Sequence, residues 1–260
     1  MRGTLSSSEV ICEVRWQLRD HPPNPVLQHG LPSNLDDMLA LFGTSPGDPW
    51  YAMSVDQIRQ GLLADYPVHE RLPNSLIPAA LAQFVVQERF RCKDQWPLVQ
   101  IGPGIATFNT IDPAANAQDS AAALDAVWRQ IRSTYPTAAP LEIAGAAYAV
   151  LERYTLSPSE ESLQGLLHQL GLPDLTWGDG APELGLVSPG PIGWDVTFKD
   201  VNTPDLTIGL TLGVHPTPDG DTTTVEWRRV ITSALVRPAG DSIVPALVAL
   251  AQRMPKLGQS

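Results

Sequence analysis

The stretch QFVVQERFRCKDQWPLVQIGPGIATFNT, residues 83–110, decides the fold because it predicts three short strands in succession. The segment 85–92 is rich in β-branched and aromatic residues, and a polar break separates it from a second apolar run at 97–101. The tripeptide GPG then predicts a turn into a third strand at 105–111. Apolar side chains alternate along the first two runs, so we expect a sheet with one buried face.

Further strands and helices are predicted on either side from alternation, capping residues and apolar stripes. The elements predicted before the central stretch are a strand at 10–18, a short helix between Ser33 and Gly43, and a helix at 55–65 that Ser54 would cap. Those predicted after it are a helix at 119–134, a strand at 141–155, a helix that follows the capping box SPSE at 157–160, strands at 193–201, 206–215 and 222–236, and a helix from Asp241.

Both halves of the chain therefore follow the order strand, helix, three or so strands, helix. The first helices of the two halves even share the tetrapeptide QGLL, at 60–63 and 164–167. We predict an α+β chain of two β-α-β-β-β-α repeats, residues 1–138 and 139–260, with an inserted segment at 19–52. The repeats would form one curved antiparallel sheet with all helices on one face, an architecture similar to TATA-binding-protein-like folds. The other face would stay polar and would be available to a partner.

Composition bounds the classes of function. The 260 residues include 28 acidic and 17 basic ones, a net charge of −11, without a run of Lys or Arg, which disfavours nucleic-acid binding. We find no apolar stretch of the roughly 18 residues that a membrane span needs, and no signal-peptide pattern at the N-terminus, so we expect a soluble cytoplasmic protein without membrane contact. Cys12 and Cys92 both fall in predicted strands, where we expect two buried reduced thiols; the sequence leaves open whether they are adjacent.

The central motif resembles the core of an uncharacterised, sporadically distributed bacterial family, written RF…D…LVQIGPG…N. The matching residues are Arg89-Phe90-Arg91, Asp94, the run LVQIGPG at 98–104, and Asn109. Three flanking features match as well: the opening EVRW at 13–16, the helix end DYP at 65–67, and Trp128. The resemblance covers roughly residues 10–154 and supports the fold. It transfers no reaction, but a sporadic distribution would suit an accessory component of a bacterial defence or toxin-neutralising system.

The GPG turn is a weak candidate for a phosphate cradle. Such a cradle needs convergent backbone N–H groups at a helix N-terminus, whereas Pro103 lacks an N–H and a strand is predicted to follow. A structural turn is the favoured interpretation. The alternative is a small-anion or nucleotide site at this turn, with polar neighbours in adjacent strands. Its candidate ligand-binding residues are Arg89, Arg91, Gln100, Gly102, Gly104 and Asn109.

Two interpretations of the arginines remain open. If Phe90 points inward, Arg89 and Arg91 share the open face of the sheet, where Arg15 could join them from a neighbouring strand. The favoured interpretation is a network of cross-strand ion pairs. The alternative is a patch that binds an anion or a partner.

No metal site, cofactor site or catalytic set is predicted. The five histidines show neither HxH nor HExxH spacing, and no GxSxG nucleophile motif occurs. An RNA-processing enzyme with a histidine as general base is the third alternative for function. The enzyme question stays open, with a non-enzymatic role favoured.

The leading hypothesis is a protein-interaction subunit. Exposed loop tryptophans are over-represented at interfaces, and the inserted segment 19–52 would carry a helix with its own apolar face. The candidate partner-binding residues are Leu35, Met38, Phe42, Trp50, Trp96 and Trp177. The partner, the oligomeric state and any ligand are not predicted.

Overall fold

The structure is a computed structural model. It describes residues 4–18, 48–77, 82–93, 95–111, 116–136, 141–156, 165–166, 192–199, 203, 205–216 and 222–254. The described strands are β1 (Thr4–Leu18), β2 (Val68–Arg71), β3 (Glu88–Arg91), β4 (Leu98–Gly102), β5 (Ile105–Thr110), β6 (Leu141–Leu156), β7 (Ile192–Lys199), β8 (Leu206–Pro216) and β9 (Thr223–Pro238). The helices described from end to end are α1 (Pro49–Leu62), α2 (Ala117–Thr134) and α3 (Val244–Arg253), together with a 3₁₀ turn at Pro73–Leu76.

The nine strands form one antiparallel sheet in the order β2-β3-β4-β5-β1-β6-β9-β8-β7. At its centre β1 pairs with β6 along almost its whole length, with Cys12 opposite Tyr148. The two predicted halves of the chain therefore contribute to a single sheet rather than to two separate ones. The α+β class and the antiparallel sheet are confirmed.

One face of the sheet carries the core because alternate residues of each strand point toward the helices. On β1 these residues are Cys12, Val14 and Trp16, all of which are fully buried. Trp16 packs on Trp128 of α2, with ring centroids 4.9 Å apart. The helices bury the following side chains against this face: Ile58, Leu62, Leu124, Val127, Trp128, Ile131, Leu247 and Leu250. The predicted apolar stripe of α2 is thus confirmed.

A second apolar cluster lies in the half of the sheet formed by β6, β9 and β8. Trp227 is fully buried there and sits across from Leu212 in the ladder. Leu166, within the helix predicted after SPSE, is fully buried in the same cluster. The rest of that predicted helix, and the helix predicted between Ser33 and Gly43, lie outside the described residues.

The first helix begins earlier than predicted and has a different cap. The Oδ1 atom of Asp48 accepts hydrogen bonds from the backbone N–H groups of Trp50 (3.0 Å) and Tyr51 (3.1 Å), and Pro49 occupies the first helical turn. Ser54, the predicted cap, is buried inside α1, where its hydroxyl donates to the carbonyl of Thr134 at 3.2 Å. The sequence was misleading because an Asp-Pro pair in a Pro- and Gly-rich segment is typical of a loop.

The strand β2 was not predicted, and β3 is shorter than expected. The β2 sequence, VHER, has no apolar alternation to reveal it. Phe84, which directly precedes the strand predicted at 85–92, has a φ of 63°. Its backbone N–H donates to the carbonyl of Pro103 at 2.7 Å, so this segment covers the β4–β5 turn instead of extending β3. The first half of the sheet therefore has four strands after α1 rather than three.

The two cysteines are free and lie apart. Cys12 is buried on β1, and Cys92 follows β3 and is only half-buried, not buried as predicted. Since β4 and β5 separate β3 from β1, the two thiols are not neighbours.

None of the helices within the described ranges is long and apolar enough to cross a membrane.

Candidate functional site

The sheet face opposite α1, α2 and α3, here called the polar face, carries the outward-pointing residue of each strand. Ladder pairing places one such residue from each of five adjacent strands in a single cross-strand row. The members of this row, from β2 through β3, β4 and β5 to β1, are Glu70, Arg89, Gln100, Thr107 and Glu13. All five are polar, so the row is a continuous hydrophilic band across half of the sheet.

Arg89 and Arg91 share this face, as the sequence predicted for an inward-pointing Phe90, which is fully buried. Both guanidinium groups lie 3.4 Å from the same carboxylate oxygen of Glu70. The side chains of Arg89 and Arg91 remain 33% and 27% exposed, and that of Glu70 is 43% exposed. The favoured prediction of a cross-strand ion-pair network is confirmed for these arginines, with Glu70 as the acidic partner.

Next to the arginines lies a network of buried hydrogen bonds between amide, hydroxyl and carboxylate groups. The Thr107 hydroxyl donates to Oδ1 of Asn109 at 2.9 Å. Oε1 of Gln100 lies 3.4 Å from the Thr107 hydroxyl oxygen. The Asn109 side chain in turn donates to the Glu9 carboxylate at 2.7 Å. Glu9, Thr107 and Asn109 are all less than 8% exposed. These side chains satisfy one another's hydrogen-bonding capacity. The network therefore fixes the relative positions of β1, β5 and β4.

Arg15 does not join Arg89 and Arg91. Its Nε donates to Glu13 at 2.7 Å, and its guanidinium carbon lies 5.5 Å from the centroid of the Phe84 ring. Farther along the polar face, Arg153 pairs with Glu226 at 2.6 Å. The charges on this face thus occur as alternating, paired groups rather than as a uniform patch.

Gly102 and Gly104 form the tight β4–β5 turn. A Cβ on Gly102 would lie 1.9 Å from the Val85 carbonyl oxygen, and Gly104 has a φ of 76° with Phe84 packed against it. Protein atoms therefore fill the space beside both glycines, which explains the sequence GPG without a ligand. Of the six predicted ligand-binding residues, Arg89, Arg91, Gln100 and Asn109 place side chains on the polar face, and the two glycines shape the turn.

Two of the six predicted partner-binding residues, Trp50 and Trp96, lie within the described residues. Trp50 was expected in a loop but lies in the first turn of α1, half-buried against the core. Trp96 lies in the connection between β3 and β4 and is half-buried. Leu35, Met38, Phe42 and Trp177 lie outside the described residues.

Sequence reasoning missed a buried ionic cluster on the helix-facing side of β3. The side chain of Glu88 is only 4% exposed and receives two hydrogen bonds from Arg59, at 2.6 and 3.1 Å. His69 contacts the same carboxylate at 2.9 Å, and Arg71 lies 3.8 Å away. Because the Glu88 carboxylate accepts these hydrogen bonds from Arg59, it raises the pKa of the Arg59 guanidinium. The available signal was an acidic residue inside the alternating apolar series of 84–90.

A second buried network joins β1, α1 and the end of α2. The Tyr135 hydroxyl donates to Oδ2 of Asp48 at 2.7 Å, and the Trp16 indole N–H lies 3.3 Å from the same oxygen. Burial, reinforced by the nearby negative charge of Asp48, raises the pKa of Tyr135 well above its ordinary value. The hydroxyl therefore stays protonated and acts as a donor that holds Asp48 in its capping position.

Within the described residues, no group of three or more His, Cys, Asp and Glu side chains is placed to hold a metal ion. Comparison of the sequence with protein-family models finds no match, and neither does comparison with curated proteins.

Proposed function

We propose that this chain is a non-enzymatic interaction subunit that binds a protein partner through the polar face of its sheet. The observation that carries the proposal is the group of Glu70, Arg89 and Arg91 at the β2–β3 end of the cross-strand row, whose side chains are 43%, 33% and 27% exposed. Thr107, farther along the row, is buried, so a partner would meet this end of the polar face.

Pairing of the charges supports recognition rather than acid–base chemistry. A catalytic acid or base needs a pKa matched to its task and a path to the reacting atom. On the polar face, by contrast, Glu13, Glu70 and Glu226 each contact an arginine. Alternating paired charges give a binding surface orientation and selectivity, because a partner with mismatched charges is repelled.

The test compares capture of partners by matched variants. Arg89→Ala combined with Arg91→Ala removes two partly exposed cations from the polar face. Arg253→Ala, on the exposed side of α3, removes a cation from the opposite side of the molecule and serves as control. We expect a protein that co-purifies with the wild type and with the control variant to be lost with the double variant.

Equal capture by all three proteins would contradict the proposal. So would size-exclusion chromatography in which the purified chain still elutes as a monomer after it has been mixed with each protein encoded by a neighbouring gene. Thermal unfolding of each variant checks that loss of capture does not reflect loss of fold.

A small anionic ligand or nucleotide at Arg89 and Arg91 is the second candidate. The Nε atoms of both arginines are buried, with no hydrogen-bond partner among the described residues, and their contacts with Glu70 are long. An oxyanion could satisfy these donors. A thermal-shift screen with nucleotides tests this candidate, because a ligand present at 100 times its Kd stabilises the folded state by about 2.7 kcal/mol.

We further infer that the two halves of the sheet descend from one repeated unit related to TATA-binding-protein-like folds. The inference is supported by the strand order, in which β1 and β6 lie side by side and the later strands of each half run outward from them. Membership of the bacterial family with the RF…D…LVQIGPG…N core, and an accessory role in defence or toxin neutralisation, remain proposals that rest on the resemblance. Detection of the same core motif beside toxin genes would support both.

A further inference from the structure

A cavity of about 450 Å³ lies on the helix side of the molecule, away from the polar face. The last two turns of α2 form one wall, and the turn between β9 and α3 forms another. The described lining residues are Arg129, Arg132, Ser133, Tyr135, Pro136, Leu141, Ala239 and Gly240. Pockets of this volume are in the range that small ligands occupy.

Both charged residues that line the cavity are arginines, in a chain with a net charge of −11. They stand three residues apart on α2, so their side chains project from the same face of the helix. Two adjacent guanidinium groups repel each other unless an anion lies near them. The cavity is therefore a local positive site on an otherwise acidic protein.

Arg129 is held by a carboxylate that has a structural role of its own. The side chain of Asp125 is 5% exposed, and one of its oxygens contacts Arg129 at 2.5 Å. The other oxygen accepts hydrogen bonds from the Ile243 backbone N–H at 2.9 Å and from the Ser242 hydroxyl at 3.1 Å, just before α3. Asp125 thus pairs with Arg129, whose side chain is 69% exposed, and links α2 to the start of α3.

Arg132 is placed by a glycine. A Cβ built on Gly240 would lie 3.4 Å from Nη1 of Arg132 and 3.6 Å from Nη2, so the guanidinium group lies against the bare backbone of the turn. No carboxylate lies within ion-pair distance of Arg132 among the described residues. Its charge is available to a ligand without first breaking an internal pair.

The other described lining residues include the polar Ser133 and three side chains that the rest of the molecule largely buries. Tyr135, Leu141 and Ala239 are each less than 9% exposed overall, and the Tyr135 hydroxyl is turned away to Asp48. A ligand at this site would meet the Arg132 guanidinium, the Arg129 guanidinium with its partner Asp125, and the apolar side chains of Tyr135, Leu141 and Ala239.

We propose that this cavity binds a small organic anion, whose carboxylate or phosphate group lies between Arg129 and Arg132 and whose apolar part packs on Tyr135 and Leu141. Guanidinium groups bind both kinds of oxyanion through paired, charge-assisted hydrogen bonds. The site is separate from Arg89 and Arg91, so this proposal can be tested independently of the proposed function.

The experiment is isothermal titration calorimetry at low ionic strength with three probes of similar size: phenyl phosphate, benzoate and neutral phenol. We expect at least one of the two anions to bind the wild-type protein and phenol to bind more weakly. The better anion identifies whether the natural ligand carries a phosphate or a carboxylate. Raising the salt concentration should weaken binding, because the attraction is partly screened.

Three variants locate the site. Arg132→Gln should weaken binding of the preferred anion about tenfold, the loss expected for one charge-assisted contact. Gly240→Ala keeps every charge but places a methyl group in van der Waals contact with the Arg132 guanidinium, where it takes up space that the anion would use, so it should also weaken binding. Arg253→Gln, which removes an exposed charge outside the cavity, should leave the affinity unchanged.

Failure of both anions to bind at millimolar concentration would overturn the proposal, as would equal binding of phenol or unchanged affinity in Arg132→Gln. Loss of binding in Arg89→Gln with Arg91→Gln, but not in Arg132→Gln, would place the anion on the polar face instead. The side chain of Arg132 is exposed, so its variant should fold, and circular dichroism verifies that it does.

Discussion

Arg59 of α1 donates two hydrogen bonds to the carboxylate of Glu88 of β3, from Nη2 at 2.6 Å and from Nε at 3.1 Å. The two residues are 29 positions apart in the chain. The carboxylate is almost fully buried, whereas the guanidinium group keeps 19% of its side-chain surface exposed. This pair, with His69 beside it, fastens the first helix to the outer strands of the sheet.

Glu88→Gln should destabilise the protein by about 2–4 kcal/mol, since it leaves the partly buried Arg59 with the exposed Asp56 as its charged partner in place of a buried carboxylate. Asp56→Asn is the matched control, because Asp56 also contacts Arg59 at 2.6 Å but is 77% exposed. Its loss should cost no more than about 0.5 kcal/mol. Urea unfolding of the two variants measures the difference, and equal costs would show that the buried pair contributes no more than a surface one.

Tyr135→Phe should cost about 1–2 kcal/mol, because Oδ2 of Asp48 then loses its shortest hydrogen bond in a buried site. A double-mutant cycle with Asp48→Ala should give a coupling energy of at least about 1 kcal/mol. Tyr148→Phe provides the control, since no hydrogen bond of that hydroxyl is found among the described residues. Additive effects of the Asp48 and Tyr135 substitutions would refute the coupling.

Gly102→Ala should be strongly destabilising, by about 3 kcal/mol, because the new methyl group would overlap the Val85 carbonyl oxygen and backbone cannot yield as a flexible side chain does. Gly209→Ala, within β8, should be tolerated, since its Cβ would meet nothing closer than a Val230 carbon at 3.9 Å. Thermal unfolding midpoints of the two variants decide the matter. Tolerance of alanine at position 102 would mean that the segment 84–87 is held less tightly than its hydrogen bonds indicate.

Burial raises the pKa of the Cys12 thiol from its ordinary value of 9.0 to about 12. The folded state therefore keeps the proton at a pH at which the unfolded chain loses it. The stabilisation is fully present below pH 9 and is lost as the pH rises toward 12. By pH 10 we expect a loss of about 1 kcal/mol in the free energy of unfolding, which guanidinium titrations at pH 8 and pH 10 can measure.

Cys12→Val should reduce this loss because it removes the ionising group while keeping a small apolar side chain on β1. Cys92, which is half-buried, should leave the loss unchanged when replaced by serine. In the native state at pH 8, a thiol reagent should modify Cys92 and spare Cys12 until the protein unfolds. An unchanged pH dependence in Cys12→Val would assign the loss to other groups.

Local pattern determined much of this fold. The runs at 97–101 and 105–111 correspond to β4 and β5 because period-two alternation and a Gly-Pro-Gly turn leave few other conformations. The stripe of Leu124, Val127, Trp128 and Ile131 located the buried side of α2 for the same reason. The polar face also followed from alternation, since a buried Phe90 forces Arg89 and Arg91 to the opposite side.

Tertiary structure decided which partner each polar group meets. Glu70, Glu88 and Asp48 are ordinary acidic residues in the sequence, and their contacts with Arg89, Arg59 and Tyr135 exist only because distant segments converge. The strand β2 gave no local signal because it is four residues long and lacks apolar alternation. The cavity beside Arg132 gave none because residues more than a hundred positions apart in the chain line it. Periodicity is a property of neighbouring residues and can be read from the chain; pairing depends on packing across the whole molecule, and only the assembled sheet and helices supply it.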